Sequence, residues 1–249
     1  MTGASNHILS IQAGLYGLSF FFRDGQKEFF RSIPFTVDNP AGIEKYLNRQ
    51  LPEIKDAFQS IERVRLLHNN SLNVLVPESL YNEENKRDYL RNNVRIYATD
   101  QIETDRLPFI PGVNVYVPFV NLNNRLLDFF PSIDFFHAAS LFLKYAFDQL
   151  NSDNAHIFVQ FTGKEFRIAL FHKAKLLFFN TFPMETTEDF LYYFFFVLEE
   201  WLPESNDAVI VLCGLDKDTE KPAGELEDFG YSPERRQHCE KEILQNVFL

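Results

Sequence analysis

The side chains in this sequence that could do chemistry are few and scattered. Six histidines, His7, His68, His137, His156, His172 and His238, show no HExxH or comparable metal-ligand spacing. Cys213 and Cys239 lie far apart in sequence with no CxxC partner, which suggests neither a zinc site nor a disulfide framework. The carboxylate pairs Glu83-Glu84 and Glu199-Glu200 read as solvated helix faces. No Gly-x-Ser-x-Gly, Walker A or dinucleotide fingerprint occurs. His137 is the best single candidate for a polar cleft residue, because it lies where the chain passes between its two halves, although a structural role is the favoured reading.

Bulk properties exclude several classes of partner. The 249 residues carry 24 basic and 35 acidic side chains, a net charge of −11, which disfavours nucleic acid because phosphates need a basic face. The first residues lack the basic and apolar regions of a signal peptide. The longest apolar run, Phe190 to Leu198, is too short to span a bilayer. No membrane insertion and a cytoplasmic location are therefore expected. There are 28 Phe against one Trp and two Met, which implies a Phe-rich core between sheet and helices, with a surplus of aromatic surface for a partner as the alternative.

The elements repeat. Residues 7–34 align without a gap on 156–183: His7 meets His156, Ile8 meets Ile157, Gly14 meets Gly163 and Phe22 meets Phe171. Phe29 and Phe30 meet Phe178 and Phe179, and Pro34 meets Pro183. Each copy reads as three strands: Ile8–Ile11, Leu18–Arg23 and Lys27–Phe35, then His156–Phe161, Phe166–Phe171 and Lys175–Phe182, with Asp24-Gly25 a hairpin signal. A helix follows both times. Asn39-Pro40 starts the first, with Pro52 expected to kink or restart it, and Thr186 with Asp189 forms a capping-box pair ahead of Phe190–Leu202. Arg63–Leu67 and Ala208–Cys213 then close each unit as crossover strands parallel to the first.

Between the copies, strands are expected at Leu72–Val76, Val94–Ala98, Val113–Pro118 and Ile133–His137, with helices at Asn82–Leu90, Leu122–Phe130 and Ala138–Leu150. Asp216–Pro233 reads as an exposed loop and Glu234–Gln245 as a last helix, one that could pack back on the first domain. The expected fold is α/β: two domains, 1–150 with inserted elements and 151–249, each a mixed sheet flanked by helices.

Two copies of strand–strand–strand–helix–strand resemble the actin-like ATPase superfamily, with its ribonuclease-H-like unit. The middle of the chain, Val113–Pro118, helix, Ile133–His137, helix, resembles the pilus-assembly members. More closely, the chain resembles, nearly end to end, an uncharacterised protein family of the Bacteroidetes bacteria with an actin-like ATPase fold. The residues behind this are Leu9-Ser10-Ile11 with Gly17-Leu18-Ser19-Phe20, Leu75-Val76-Pro77-Glu78-Ser79-Leu80, and Lys175-Leu176-Leu177-Phe178-Phe179-Asn180-Thr181-Phe182 running on to Thr187-Glu188-Asp189-Phe190-Leu191-Tyr192-Tyr193.

The superfamily resemblance implies two hairpin turns that grip nucleotide phosphates, each after a strand whose Asp holds Mg²⁺. Here those turns are Gln12-Ala13-Gly14-Leu15 and Gln160-Phe161-Thr162-Gly163, and both Asp positions carry Gln. A neutral amide does not supply the charge that Mg²⁺ prefers. Gly14 and Gly163 remain, and Cys213-Gly214-Leu215 stands at the nucleoside-side turn, where the family has a Gly pair. The expectation is a non-enzymatic interaction or scaffold protein with an unidentified protein partner, a vestigial nucleotide cleft and no cofactor. A sensor that binds ATP or another phosphate ligand without hydrolysis is the alternative, and an ATPase or kinase with a shifted acid the third.

Overall fold

A computed structural model describes residues 7–24, 27–58, 60–151, 153–202, 208–214 and 216–245. The chain divides into two compact units, Met1–Leu141 with Leu244–Leu249, and Phe142–Ile243.

In the first unit, β1 (Ile8–Gly14), β2 (Gly17–Asp24) and β3 (Lys27–Pro34) form an antiparallel meander. Gly25, the expected tip of the second turn, lies outside the described residues. Helix α1 (Pro40–Ala57) follows, and its N-cap Asn39 accepts a hydrogen bond from Gly42 N, as the Asn-Pro pair predicts. Pro52 does not divide it: the helix runs as a single span through that residue. Ile43, Leu47, Leu51 and Ile54 then recur at helical spacing and bury against the sheet. β4 (Arg63–Asn69) returns parallel to β1, and β8 (Ile133–His137) adds parallel to β4, so the order is β3-β2-β1-β4-β8. Alternation sorts the side chains: Leu9, Ile11 and Ala13 of β1 enter the core with α1, while Ser10 and Gln12 take the opposite face.

The elements between β4 and β8 make a second sheet, β5 (Asn73–Pro77), β6 (Glu103–Leu107) and β7 (Gly112–Tyr116), all antiparallel in the order β5-β7-β6. The expected helix over Asn82–Leu90 is a 3₁₀ turn, Glu83–Asn85, followed by α2 (Lys86–Arg91). Val94–Ala98 is not a strand; Val94 and Ile96 instead pack as irregular chain on the small core of Val113, Val115 and Leu90. The strand is β6, a few residues on. Its sequence, Glu-Thr-Asp-Arg-Leu, has one apolar residue and so no period-2 signal. α3 (Val120–Leu127) packs Leu122 and Leu126 into the larger core, and β8 leads directly into α4 (Ala138–Asp148).

The second unit repeats the strand order. β9 (His156–Phe161), β10 (Glu165–His172) and β11 (Lys175–Pro183) form the meander, α5 (Thr187–Trp201) carries the expected Thr186–Asp189 capping box, and β12 (Val209–Cys213) returns parallel to β9. The order is β11-β10-β9-β12-β13, where β13 (Glu234–Arg236) pairs parallel with β12 as β8 does with β4.

Two expectations fail at this end. Asp216–Asp228 is a helix, α6, despite Pro222 and Gly224, because Thr219, Ala223 and Leu226 recur every three or four residues and bury. Glu234–Gln245 is not one helix but β13 followed by α7 (Cys239–Gln245), since three charged residues suffice for an edge strand when β12 offers its ladder. Phe161, Phe166, Phe182, Phe190 and Phe194 fill the core between this sheet and α5. Among the described residues no helix is long and apolar enough to cross a membrane.

Candidate functional site

Gln12 and Gln160 sit at equivalent places, buried on the central strands β1 and β9 and on the sheet face away from α1 and α5. This register is one residue off the gap-free alignment of the repeat, which sets Gln12 against Phe161 and would exchange core and outer faces. Gln12 pairs across to Ser19 and Leu67, Gln160 to Arg167 and Cys213.

Each glycine has a backbone or packing reason. A Cβ on Gly14 would stand 2.8 Å from the backbone oxygen of Asn69, so β4 approaches too closely for any side chain. Gly163 has φ +83°, the left-handed region, in a turn closed by Thr162 N donating to Glu165 O at 2.8 Å. The Thr162 hydroxyl donates to the same carbonyl at 3.3 Å. Gly214 N donates to Arg236 O, and a Cβ there would crowd Thr219 at 3.2 Å. Gly214 thus lies beside Gln160's strand, packed near Phe161, while Leu215 lies outside the described residues. Gly14→Ala should therefore destabilise the chain by about 1–3 kcal/mol with no nucleotide present, read as a lower urea midpoint. An unchanged midpoint would return Gly14 to a ligand-gripping role.

The electrostatics at Gln160 decide what that turn can hold. Arg167, its cross-strand neighbour on β10, is 1% exposed. Burial lowers its pKa to about 10, with Glu165 pulling the other way, so it stays charged at neutral pH. Gln160 itself is 5% exposed, and its Oε1 has no hydrogen-bond partner. A divalent cation here would meet a neutral amide and a fixed positive charge in a low-dielectric setting. The residues present do not fit Mg²⁺, and the described residues contain no group of three His, Cys, Asp or Glu that could hold a metal.

His137 is fully buried at the end of β8, paired through His68 of β4 to Ala13 of β1. It belongs to a polar cluster whose other members the sequence did not reveal. Asp105 of β6, 5% exposed, accepts hydrogen bonds from His137 N at 2.8 Å and Ser140 Oγ at 2.5 Å on Oδ2, and from the Tyr116 hydroxyl at 3.2 Å on Oδ1. Asn114 donates to Ser140 Oγ and accepts from Asn73 Nδ2, both at 2.9 Å. Burial raises Asp105 to a pKa of about 6 against the pull of these three donors. His68 is driven the other way by burial, to about 3, while its Nδ1 accepts from Phe119 N. The carboxylate sits at the start of α4, where the helix dipole favours a negative charge, and ties β6 to the β8–α4 junction. The legible trace of this cluster was Val113-Asn114-Val115-Tyr116, whose alternation puts two polar residues on one face of β7.

In the second unit the structure joins the two cysteines that sequence separates. Cys213 and Cys239 are free, buried and hydrogen-bonded to each other. That contact and burial raise the Cys213 thiol well above its usual range. Cys239 also meets the Tyr145 hydroxyl at 3.4 Å and donates to Arg236 O at 3.3 Å.

Residues 1–224 match the family described as "Protein of unknown function (DUF3822)". The chain belongs to this family. The DUF3822 chain is similar in structure to a Bacteroides thetaiotaomicron protein described as having an actin-like ATPase fold and unknown function, with a TM-score of 0.77 over 98% of this chain and 97% of that one, at 19% identity. It is also similar to a chain of a PilM-PilN type IV pilus biogenesis complex (TM-score 0.55, 14% identity, 94% and 89% covered). A third likeness is to AlfA from the B. subtilis plasmid pLS32, in a filament structure (TM-score 0.52, 11% identity, 97% and 99% covered). At these identities the likenesses establish the fold, an actin-like ATPase fold. No curated protein sequence matches this DUF3822 chain.

Proposed function

We propose that this DUF3822 chain is a non-enzymatic interaction protein that keeps the actin-like frame without the nucleotide chemistry. The observation that carries this reading is Gln160 beside the buried cation of Arg167, a pairing opposed to Mg²⁺ where the superfamily places a metal-holding Asp. Gln12 stands at the matching position of the first sheet, and the shared strand order is what a duplicated unit with two degenerate turns would leave. Gly14, Gly163 and Gly214 then persist for the close approach, the turn and the packing described above. One structure of this fold comes from a PilM-PilN complex, which by analogy suits an assembly role.

The test is purified protein with millimolar ATP and Mg²⁺, followed by phosphate release and thermal unfolding. The expected result is no turnover and no Mg²⁺-dependent shift. A ligand at about a hundred times its dissociation constant would add about 2.7 kcal/mol, which raises Tm by roughly 5–11 °C for a chain of this size. Such a shift without turnover would support the sensor reading instead, in which Arg167 attracts an anionic group. Turnover would overturn both.

A further inference from the structure

Most of the 28 Phe are consumed by the cores, but one group is not. On α5 the inward stripe is Phe190, Phe194, Val197 and Leu198. The outward stripe, at four-residue spacing, is Glu188, Tyr192, Phe196 and Glu200. Tyr192 is 67% and Phe196 50% exposed. Just past the end of α6, Phe229 is 60% exposed, and its ring meets Phe195 of α5 at 4.9 Å, edge to face. Three exposed aromatic rings, Tyr192, Phe196 and Phe229, thus lie on α5 and at the end of α6, with the half-buried Phe195 joining Phe229 to the core, and a monomer gains nothing by exposing them.

The rim is acidic. α5 contributes Glu188, Glu199 and Glu200 and has no basic residue at all, while Asp228 precedes Phe229 and Glu225 lies one turn before it. Lys221 of α6 brings its ammonium to Glu188 at 3.9 Å with both side chains exposed, so it offsets that carboxylate weakly.

Charge selects the occupant. A second copy would bring the same carboxylates against themselves, and nucleic acid or an anionic lipid surface would bring phosphates. We propose that this aromatic face of α5 and α6 docks a cationic amphipathic polypeptide segment, whose apolar side covers Tyr192, Phe195, Phe196 and Phe229 and whose Arg or Lys residues meet the rim. Arginine suits both parts, since its guanidinium stacks on exposed rings and pairs with carboxylates. The inference rests on the interaction-protein reading and gives it a surface and a partner chemistry.

The probe is a labelled synthetic amphipathic helix of about 18 residues with one Leu face and one Arg face, titrated with the full chain and read by anisotropy. The same peptide with Glu for Arg is the control. The expected result is binding of the Arg peptide at least tenfold tighter than the Glu peptide, weakening as salt rises. Tyr192→Ser with Phe196→Ser should weaken it at least tenfold at unchanged net charge, and Glu199→Lys with Glu200→Lys by a similar factor. An unchanged Tm shows that the variants are folded.

No binding of the Arg peptide overturns the proposal, as does binding that survives loss of the two rings, which would be attraction to bulk charge. Tighter binding to anionic vesicles than to the peptide, or self-association through this face, overturns it too. Failure here without ATP turnover removes the surface and leaves the non-enzymatic reading standing. Turnover removes that reading whatever the peptide does.

Discussion

Asp105→Ala should cost roughly 2–4 kcal/mol of stability, whereas Asp105→Asn should stay within about 1 kcal/mol of the parent at neutral pH. Alanine leaves the His137 amide, the Ser140 hydroxyl and the Tyr116 hydroxyl facing an empty acceptor position inside the first unit. The amide has no freedom to turn elsewhere, so its desolvation cost is met in full. Asparagine keeps an oxygen for His137 N and Ser140 and presents its NH₂ to the Tyr116 oxygen, which can accept as well as donate.

The two variants also differ from the parent in pH dependence. Burial raises Asp105 from 3.8 to about 6, so the folded state holds this proton more tightly than the unfolded chain does. Its contribution is fully present below about pH 4 and is lost as pH rises through 6, a change of about 3 kcal/mol. His68 acts oppositely: with its folded value lowered to about 3, its contribution is present above 6.5 and is lost as pH falls. The informative quantity is therefore parent minus Asp105→Asn, which should decline between pH 4 and 7 while His68 cancels. Amide exchange at His137 N, measured alongside, should accelerate in the alanine variant alone. An asparagine variant as damaged as the alanine one would mean that the cluster needs the charge and not the acceptor.

In the second unit, Phe166→Ala is expected to cost about 3–5 kcal/mol. The Phe166 ring is fully buried at the centre of a group formed by Phe161, Phe182, Phe190 and Tyr193, with centroid separations of 6.1, 5.6, 5.4 and 6.3 Å. Truncation opens a cavity between β10 and α5 that the packed neighbours on β9, β11 and α5 cannot collapse into. Trp201, the single tryptophan, lies at the end of α5 with its ring 5.6 Å from Phe178, so its fluorescence reports on this unit. Phe196→Ser, from the exposed face of the same helix, should change stability by no more than about 0.5 kcal/mol. Equal losses at the two positions would contradict the division of α5 into a core stripe and a free aromatic stripe.

That division shows where sequence reasoning stops. Local pattern was enough for the two meanders, α1, α5 and the parallel return of β4 and β12, because turn residues, caps and period-2 or 3.6 apolar spacing act over a few residues. The actin-like fold followed, and with it Gln12 and Gln160 as the positions to inspect. Elements whose identity is set by a neighbour were not legible. β6 carries charge where a strand needs apolar residues, and is a strand because β7 offers its ladder and Asp105 finds three donors. β13 is three charged residues on the edge of β12, and α6 is a helix despite Pro222 and Gly224 because Thr219, Ala223 and Leu226 bury.

The sequence alone determined the fold class and the absence of carboxylates at two expected metal positions. Only the tertiary structure decided that Arg167 faces Gln160, that Cys239 reaches Cys213, and that the exposed Phe229 ring meets Phe195. The reason is the range of the forces: propensity and periodicity are written in adjacent residues, whereas burial, charge and ring contacts arise between residues that the chain brings together from far apart.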